Sequence, residues 1–276
     1  MGSSPTTERG GPEGEGLARL EAVLRRLDRV VVAFSGGADS AFLAAVATRT
    51  LGAERVLAVT AVSPSLAPEE LADCRALAAE WGLRYREVAT DEMADAAYRA
   101  NDADRCYHCK ARLLMALGPV ASAEGARVVL GVNGDDLSDH RPGQRAAAEA
   151  GAVFPLVEAG FTKSDVRRVS RSLGLRTWDK PAAACLASRL PYGTPVTVGR
   201  LEAVAAAESG LRALGFRQLR VRHYGELARV EIDLDEMERL VQRRAEVVSA
   251  VRHAGYRYVT VDLEGFRSGN LNGATT

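Results

Sequence analysis

The chain has 276 residues, 47% hydrophobic, 26% charged and 5% aromatic, and its 36 basic side chains balance 36 acidic ones. Zero formal charge provides no polyanion-coating surface and argues against an affinity that rests on nucleic-acid phosphates. No run approaches the roughly eighteen apolar residues of a membrane span, and the N-terminus lacks a basic segment followed by an apolar one, so the expected location is the cytoplasm. Four cysteines make no disulfide framework in a chain of this length, and in a reducing compartment close cysteines hold metal or do chemistry.

Residues 1–16, "MGSSPTTERGGPEGEG", have almost nothing apolar to bury and are expected to form a disordered tail. From Leu17 the text becomes periodic: "LARLEAVLRRL" has helical spacing, and "RVVVAF" is a β-branched run ending at Phe34. Strands and helices then alternate. "RVLAVTAV" precedes the helical "APEELADCRALAAEWG", "RYREVAT" precedes a helix around Cys106 to Leu117, and "RVVLGVN" precedes another. Apolar strands alternating with amphipathic helices predict an α/β domain with a doubly wound parallel sheet over residues 17–180. Past "DKPAAACLASRLPYGTPVT" the order changes to a helix (Val198 to Leu214), two consecutive strands ("QLRVRHYG", "LARVEIDL"), a helix (Asp235 to His253) and a last strand, "YRYVTVDL". Adjacent strands without an intervening helix predict a smaller α+β domain over 181–266, followed by a loose tail at 267–276.

The strand "VVVAF" runs directly into "SGGADS" and a helix follows at once. Such a turn presents successive backbone N–H groups and the positive end of a helix to an anion, and paired glycines let phosphate approach the backbone. It lacks the Gly-Lys-Ser/Thr of a Walker loop and is no G-x-G-x-x-G; the plainer alternative is a Gly-Gly turn capped by Asp39 or Ser40. The stretch resembles the PP-loop ATP pyrophosphatase superfamily, whose signature is S-G-G-x-D-S after the first strand. That resemblance implies an adenine nucleotide alpha hydrolase-like fold that grips the pyrophosphate of ATP and transfers adenylate to a substrate oxygen. By position, Ser35, Gly36, Gly37 and Ser40 would hold phosphate and Asp39 would place Mg2+.

A second acidic cluster, "GVNGDDLSDHRPG", puts Asn133, Asp135, Asp136 and Asp139 at the carboxyl end of a parallel strand, where open α/β sheets bind ligands. Hard oxygens suit magnesium on a polyphosphate, whereas a solvated loop of Asx turns has the same composition. Arg141 is a candidate partner for a substrate anion.

Among the cysteines, Cys74 lies inside a helical stretch and reads as a small core residue. Cys106 and Cys109 open a helix, and Cys185 follows seventy-six residues later in "AAACLASR". Tetrahedral zinc would need a fourth ligand, with His108 or His140 as candidates; three thiolates without a clear fourth suit a 4Fe-4S cluster with one open iron. The segments "NDADRCYHCK", "GVNGDDLSDHRPG" and "ACLASRLPYGTPVT", in that order, resemble the LarE family, sulfur transferases of nickel-pincer nucleotide biosynthesis. This resemblance spans Leu17 to about Leu263. It implies that ATP adenylates a carboxylate of pyridinium-3,5-biscarboxylic acid mononucleotide and that a cysteine at the position of Cys185 supplies sulfur. One branch sacrifices that cysteine, leaving dehydroalanine, and another binds an iron-sulfur cluster through three cysteines. With Cys106, Cys109 and Cys185 all present, the cluster-dependent branch is the expectation. The family forms hexamers, so a homo-oligomer is expected, with a small-molecule pyridinium nucleotide as partner.

Arg189, four residues after Cys185, is a candidate for raising the acidity of its thiol. Lys110 is either a phosphate ligand or a helix-surface lysine. Arg220 and Arg222, two apart on a strand, share one face; the resemblance assigns such arginines to substrate phosphate or pyrophosphate. Glu208 and Glu231 match acidic positions of the family that hold a divalent cation, or are surface acids. Trp178 and Tyr192 flank the Cys185 segment. The alternatives are another PP-loop reaction, tRNA thiolation or amidation, and a non-catalytic ATP-binding protein with structural zinc.

Overall fold

The computed structural model describes residues 12–137, 142–181 and 184–267. Asp139, His140 and Arg141 lie outside the described residues, as does the tail from residue 268 onward. The chain divides into two compact units, one made of residues up to Ser63, 70–91 and 106–183, the other of 64–69, 92–105 and 184 onward. The second unit is therefore discontinuous, in contrast to the expected single boundary at 180.

The first unit opens with α1 (Pro12–Leu27), which starts five residues earlier than the expected tail allows. Proline's fixed φ suits a first helical turn, and Gly16 packs where a Cβ would meet the Phe161 ring at 3.5 Å. Then follow β1 (Val30–Ala33), α2 (Ala38–Leu51), β2 (Val56–Val62), α3 (Pro68–Glu80) and β3 (Tyr85–Ala89). In the second unit comes α4 (Ala96–Ala100), and the chain returns with α5 (Arg105–Glu124), β4 (Arg127–Leu130), α6 (Gly134–Leu137), α7 (Pro142–Glu149), α8 (Pro155–Glu158) and α9 (Lys163–Ser172). The sheet order is β3-β2-β1-β4, all parallel, with Val30 opposite Val56 on one side and Arg127 on the other. Val30 and Val32 face a core with Phe42, Leu156 and Phe161, whereas Val31 faces Leu117 and Ala121 of α5. Both faces are thus covered, which is why β1 is apolar throughout rather than alternating.

The second unit continues with α10 (Val198–Ala213), β5 (Leu219–Tyr224), β6 (Leu227–Ile232), α11 (Met237–Gln242), α12 (Arg244–His253) and β7 (Tyr258–Val261). β5 pairs antiparallel with β6, and β6 parallel with β7. Val221, Val230 and Ile232 pack with Leu211 of α10 and Val247 and Val251 of α12. The helix expected over 235–253 breaks at Arg243, whose backbone leaves helical geometry (φ −98, ψ 21) and whose guanidinium donates to the Leu214 carbonyl at 2.6 Å. Among the described residues no helix is long and apolar enough to cross a membrane.

Candidate active site

In the first unit, β1 delivers the chain into the turn at Ser35–Gly37. Gly36 has φ +67, and a Cβ there would stand 2.9 Å from the Cys74 sulfur, so conformation and space both demand glycine. Cys74 is fully buried beneath the loop, as a core residue should be. The Ser40 hydroxyl accepts from the Ser35 amide at 3.2 Å, lies 3.1 Å from the Ser35 hydroxyl and donates to the Gly37 carbonyl at 3.2 Å, which closes the turn from within. Gly37 caps α2 without a side-chain bond, so the positive end of this helix keeps its N–H groups for an anion.

Asn133, fully buried just past β4, joins the loop to the acidic cluster. Its amide nitrogen donates to Asp39 at 3.1 Å, its oxygen accepts from the Asp135 and Asp136 amides at 3.1 and 3.3 Å, and its own amide donates to the Asp136 carboxylate at 3.2 Å. Burial pushes the Asp39 carboxyl above its ordinary value; the Asn133 bond opposes this, the Asp136 charge adds to it and the Lys163 charge opposes it. A partly buried acid that carries this strain beside a second carboxylate suits a divalent cation. Lys163 opens α9, where Thr162 and Asp165 form a capping box, and its amide donates to Asp135 at 2.8 Å. The "TKSD" capping pattern was a signal for the helix start; nothing local in it indicated the proximity to Asp39.

The cysteine pair sits in the first turn of α5, Cys106 exposed and Cys109 half-buried, neither in a disulfide. α7 packs on that turn: a Cβ at Gly143 would meet the Cys106 carbonyl at 3.1 Å, and Tyr107, between the cysteines, donates to Glu149 at 2.6 Å. α7 also reaches the acidic cluster, since Gln144 donates to the Asp136 carbonyl at 2.8 Å. Lys110 is half-buried; burial lowers its ammonium pKa, and the Cys109 and Cys106 sulfurs act the other way.

In the second unit, Cys185 is exposed, yet its carbonyl is held by the Ser188 amide at 3.0 Å, the Ser188 hydroxyl at 2.7 Å and Arg189 at 3.2 Å. The backbone is fixed while the thiol stays accessible. Arg189 also bonds the Ala184 carbonyl at 2.7 Å and pairs with both oxygens of Glu208 at 2.8 and 3.1 Å. Glu208, wholly buried, further accepts from Arg212 at 3.0 Å and from the Val221 amide at 3.1 Å. Glu231, equally buried, is forked by Arg222 at 3.0 Å to each oxygen and bonded by Arg229 at 3.1 Å. Both acids are thus engaged by arginines and lie in the interior, not on the surface. Among the described residues no set of three or more His, Cys, Asp or Glu side chains gathers as metal ligands.

Arg220 differs from its neighbours. It is buried and lies over the Phe266 ring, 4.7 Å from the centroid, but forms no ion pair among the described residues. Burial, joined by the charges of Arg189 and Arg222, pushes its pKa down to about 10, with Glu231 and Glu208 opposing. A guanidinium buried beside other cations without an ion pair of its own carries charge that an anion could neutralise.

Two residues that sequence reasoning missed brace the Cys185 segment. Asn101, buried at φ +61, donates to the Pro191 and Thr194 carbonyls at 2.8 and 2.9 Å. Arg105 donates to the Ala187 carbonyl at 2.8 Å and to Asn101 at 2.5 Å. Trp178 stacks under Arg171, and Tyr192 is exposed.

A family model described as NAD synthase matches residues 21–142. The chain is 47% identical over 263 residues to an uncharacterized protein of Synechocystis, covering 94% of this chain and 98% of that one. It is 39% identical over 260 residues to the pyridinium-3,5-bisthiocarboxylic acid mononucleotide synthase of Lactiplantibacillus plantarum, covering 94% of each. A tRNA-specific 2-thiouridylase of Sphingopyxis alaskensis is 29% identical over 193 residues, 55% of this chain and 50% of that relative.

Proposed function

The chain belongs to the LarE family of ATP-dependent sulfurtransferases, and on that premise we propose that it converts carboxylates of pyridinium-3,5-biscarboxylic acid mononucleotide into thiocarboxylates. The observation that carries this reading is the Asp39–Asn133–Asp136 set standing at an uncapped loop and helix N-terminus. Such a site suits a magnesium-bound triphosphate better than a structural turn.

A carboxylate is a poor acyl electrophile, so its oxygen first attacks the α-phosphorus of ATP and pyrophosphate leaves. The Ser35–Ser40 loop grips the departing pyrophosphate, and Asp39 and Asp136 are the carboxylates that would hold a Mg2+, which would spread the developing charge. Sulfur then attacks the acyl carbon and AMP leaves. Arg220 and, by family resemblance alone, Arg141 are candidates to receive anionic groups of the substrate, and Lys110 a phosphate of the nucleotide. Arg222 and Arg189 keep the ground under Arg220 in place through Glu231 and Glu208. Cys106, Cys109 and Cys185 fit an iron-sulfur cluster by donor chemistry, being three thiols outside any disulfide of which none is deeply buried; a 4Fe-4S cluster there would present an inorganic sulfide taken up from solution as the nucleophile, its own core sulfides being retained. A homo-oligomer in the cytoplasm completes the reading.

The test is anaerobic reconstitution with ferrous iron and sulfide, followed by incubation with ATP, the pyridinium substrate and an excess of inorganic sulfide. Bound iron, pyrophosphate release and repeated thiocarboxylate formation are expected. Cys185→Ser should keep pyrophosphate release and lose the thiocarboxylate. Dehydroalanine at position 185 with no bound iron would replace the cluster by a sacrificial thiol, and no pyrophosphate release would overturn the reading as a whole.

A further inference from the structure

Lys180 stands against the nucleotide loop, although neither the strand–loop–helix pattern nor the acidic cluster singles it out. Its ammonium lies 3.7 Å from the point where a Cβ would sit on Gly36, the one left-handed residue of the loop. It is held there by two carboxylates of α3, Glu70 at 2.8 Å and Asp73 at 2.6 Å. Burial disfavours its charge, and the bonds to Asp73 and Glu70 overcome this and raise its pKa, so the group is a permanent cation.

The grip is arranged so that it can be released. Asp73 has a second cation, Arg176 at 2.7 Å, which stays in place when the lysine departs. The Glu70 side chain keeps 27% of its exposure and can turn to water. Water reaches both acids of these pairs and can solvate them when the lysine leaves, whereas an ammonium facing a polyphosphate meets several charged oxygens at once. Lysine suits such an exchange because its charge is compact and its stem has four rotatable carbons.

We propose that Lys180 is a ligand of the β- and γ-phosphates of ATP, parked between Glu70 and Asp73 until the nucleotide arrives. The assignment rests on ATP binding at the Ser35–Ser40 loop and adds a cation that the loop itself lacks. Glu70 and Asp73 then compete with the nucleotide for the same ammonium, so the acids set the affinity as much as the lysine does.

The experiment is calorimetric titration of the full chain with magnesium α,β-methylene-ATP and, separately, with AMP. Lys180→Met should weaken the triphosphate analogue about tenfold or more and leave AMP within about twofold. Glu70→Gln should tighten the analogue severalfold, and that gain should vanish in the Lys180→Met background, because the acid acts through the lysine. A gain that persists undiminished in the double variant, or an unchanged affinity in Lys180→Met, overturns the assignment. If Lys180→Met does not fold, Glu70→Gln alone decides, and an analogue affinity equal to or weaker than that of the unaltered chain refutes the competition. Failure of the unaltered chain to bind the analogue overturns the nucleotide reading itself.

Discussion

The most exacting requirement at the nucleotide loop falls on a residue outside it. Gly131 follows β4, and a Cβ there would lie 2.7 Å from the Ser40 nitrogen, 2.8 Å from the Asp39 carbonyl carbon and 2.9 Å from the Ser40 Cα. Its φ is not in the left-handed region, so close approach and not conformation requires glycine. All three neighbours are backbone, and no rotamer change relieves the contact. Ordinary contact begins at 3.4 Å, so Gly131→Ala must drive the strand end and the start of α2 apart by about 0.7 Å, an overpacking that costs about 1–3 kcal/mol. The displacement falls on Asp39 and Ser40, which have to be in place for the phosphates. Differential scanning fluorimetry should show a melting temperature lower by roughly 2–10 °C, and titration with magnesium α,β-methylene-ATP an affinity weaker by about tenfold or more. The control is Gly199→Ala in the first turn of α10, where a Cβ meets nothing within 4 Å; it should be neutral or stabilise by up to about 1 kcal/mol. A Gly131→Ala chain that melts and binds like the unaltered one would refute the packing argument.

Asp39→Asn should abolish ATP-dependent pyrophosphate release while raising thermal stability at neutral pH. An acid whose pKa is raised in the fold stabilises the native state below its ordinary value of 3.8 and loses that contribution as pH climbs through the raised value. The melting temperatures of variant and unaltered chain should therefore coincide below that value, separate above it and stay apart at neutral pH. Arg222→Met and Arg220→Met should diverge: the first leaves the buried Glu231 short of its main partner and costs about 3–5 kcal/mol, seen as a large fall in melting temperature. The second strands no acid, so it should hold the melting temperature and raise the KM for the pyridinium substrate about tenfold. Asn101→Ala removes the bonds to the Pro191 and Thr194 carbonyls, so limited proteolysis within residues 184–194 should accelerate severalfold as the segment loosens.

What the sequence determined by itself was what local physics writes into it. A β-branched run closed by "SGGADS" defines a strand, a phosphate-ready turn and a helix within a dozen residues, and apolar runs alternating with amphipathic ones dictate a parallel sheet covered on both faces. Motif order carried the family, and the three cysteines carried the question of the sulfur source. Tertiary structure alone decided which distant residues share an environment. Arg105 bonds Ala187 across 82 positions and so draws residues 92–105 into the second unit. Lys180 reaches Gly36, and Gly131 abuts Ser40, by packing that no spacing rule expresses. The arginine pair makes the distinction sharpest. Spacing put Arg220 and Arg222 on one face, and the register sets Arg220 directly opposite Glu231, yet the acid is forked by Arg222, leaving Arg220 as the cation without an acid. Side-chain reach, burial and competition between neighbours settle such a choice, and these exist only once the chain has folded.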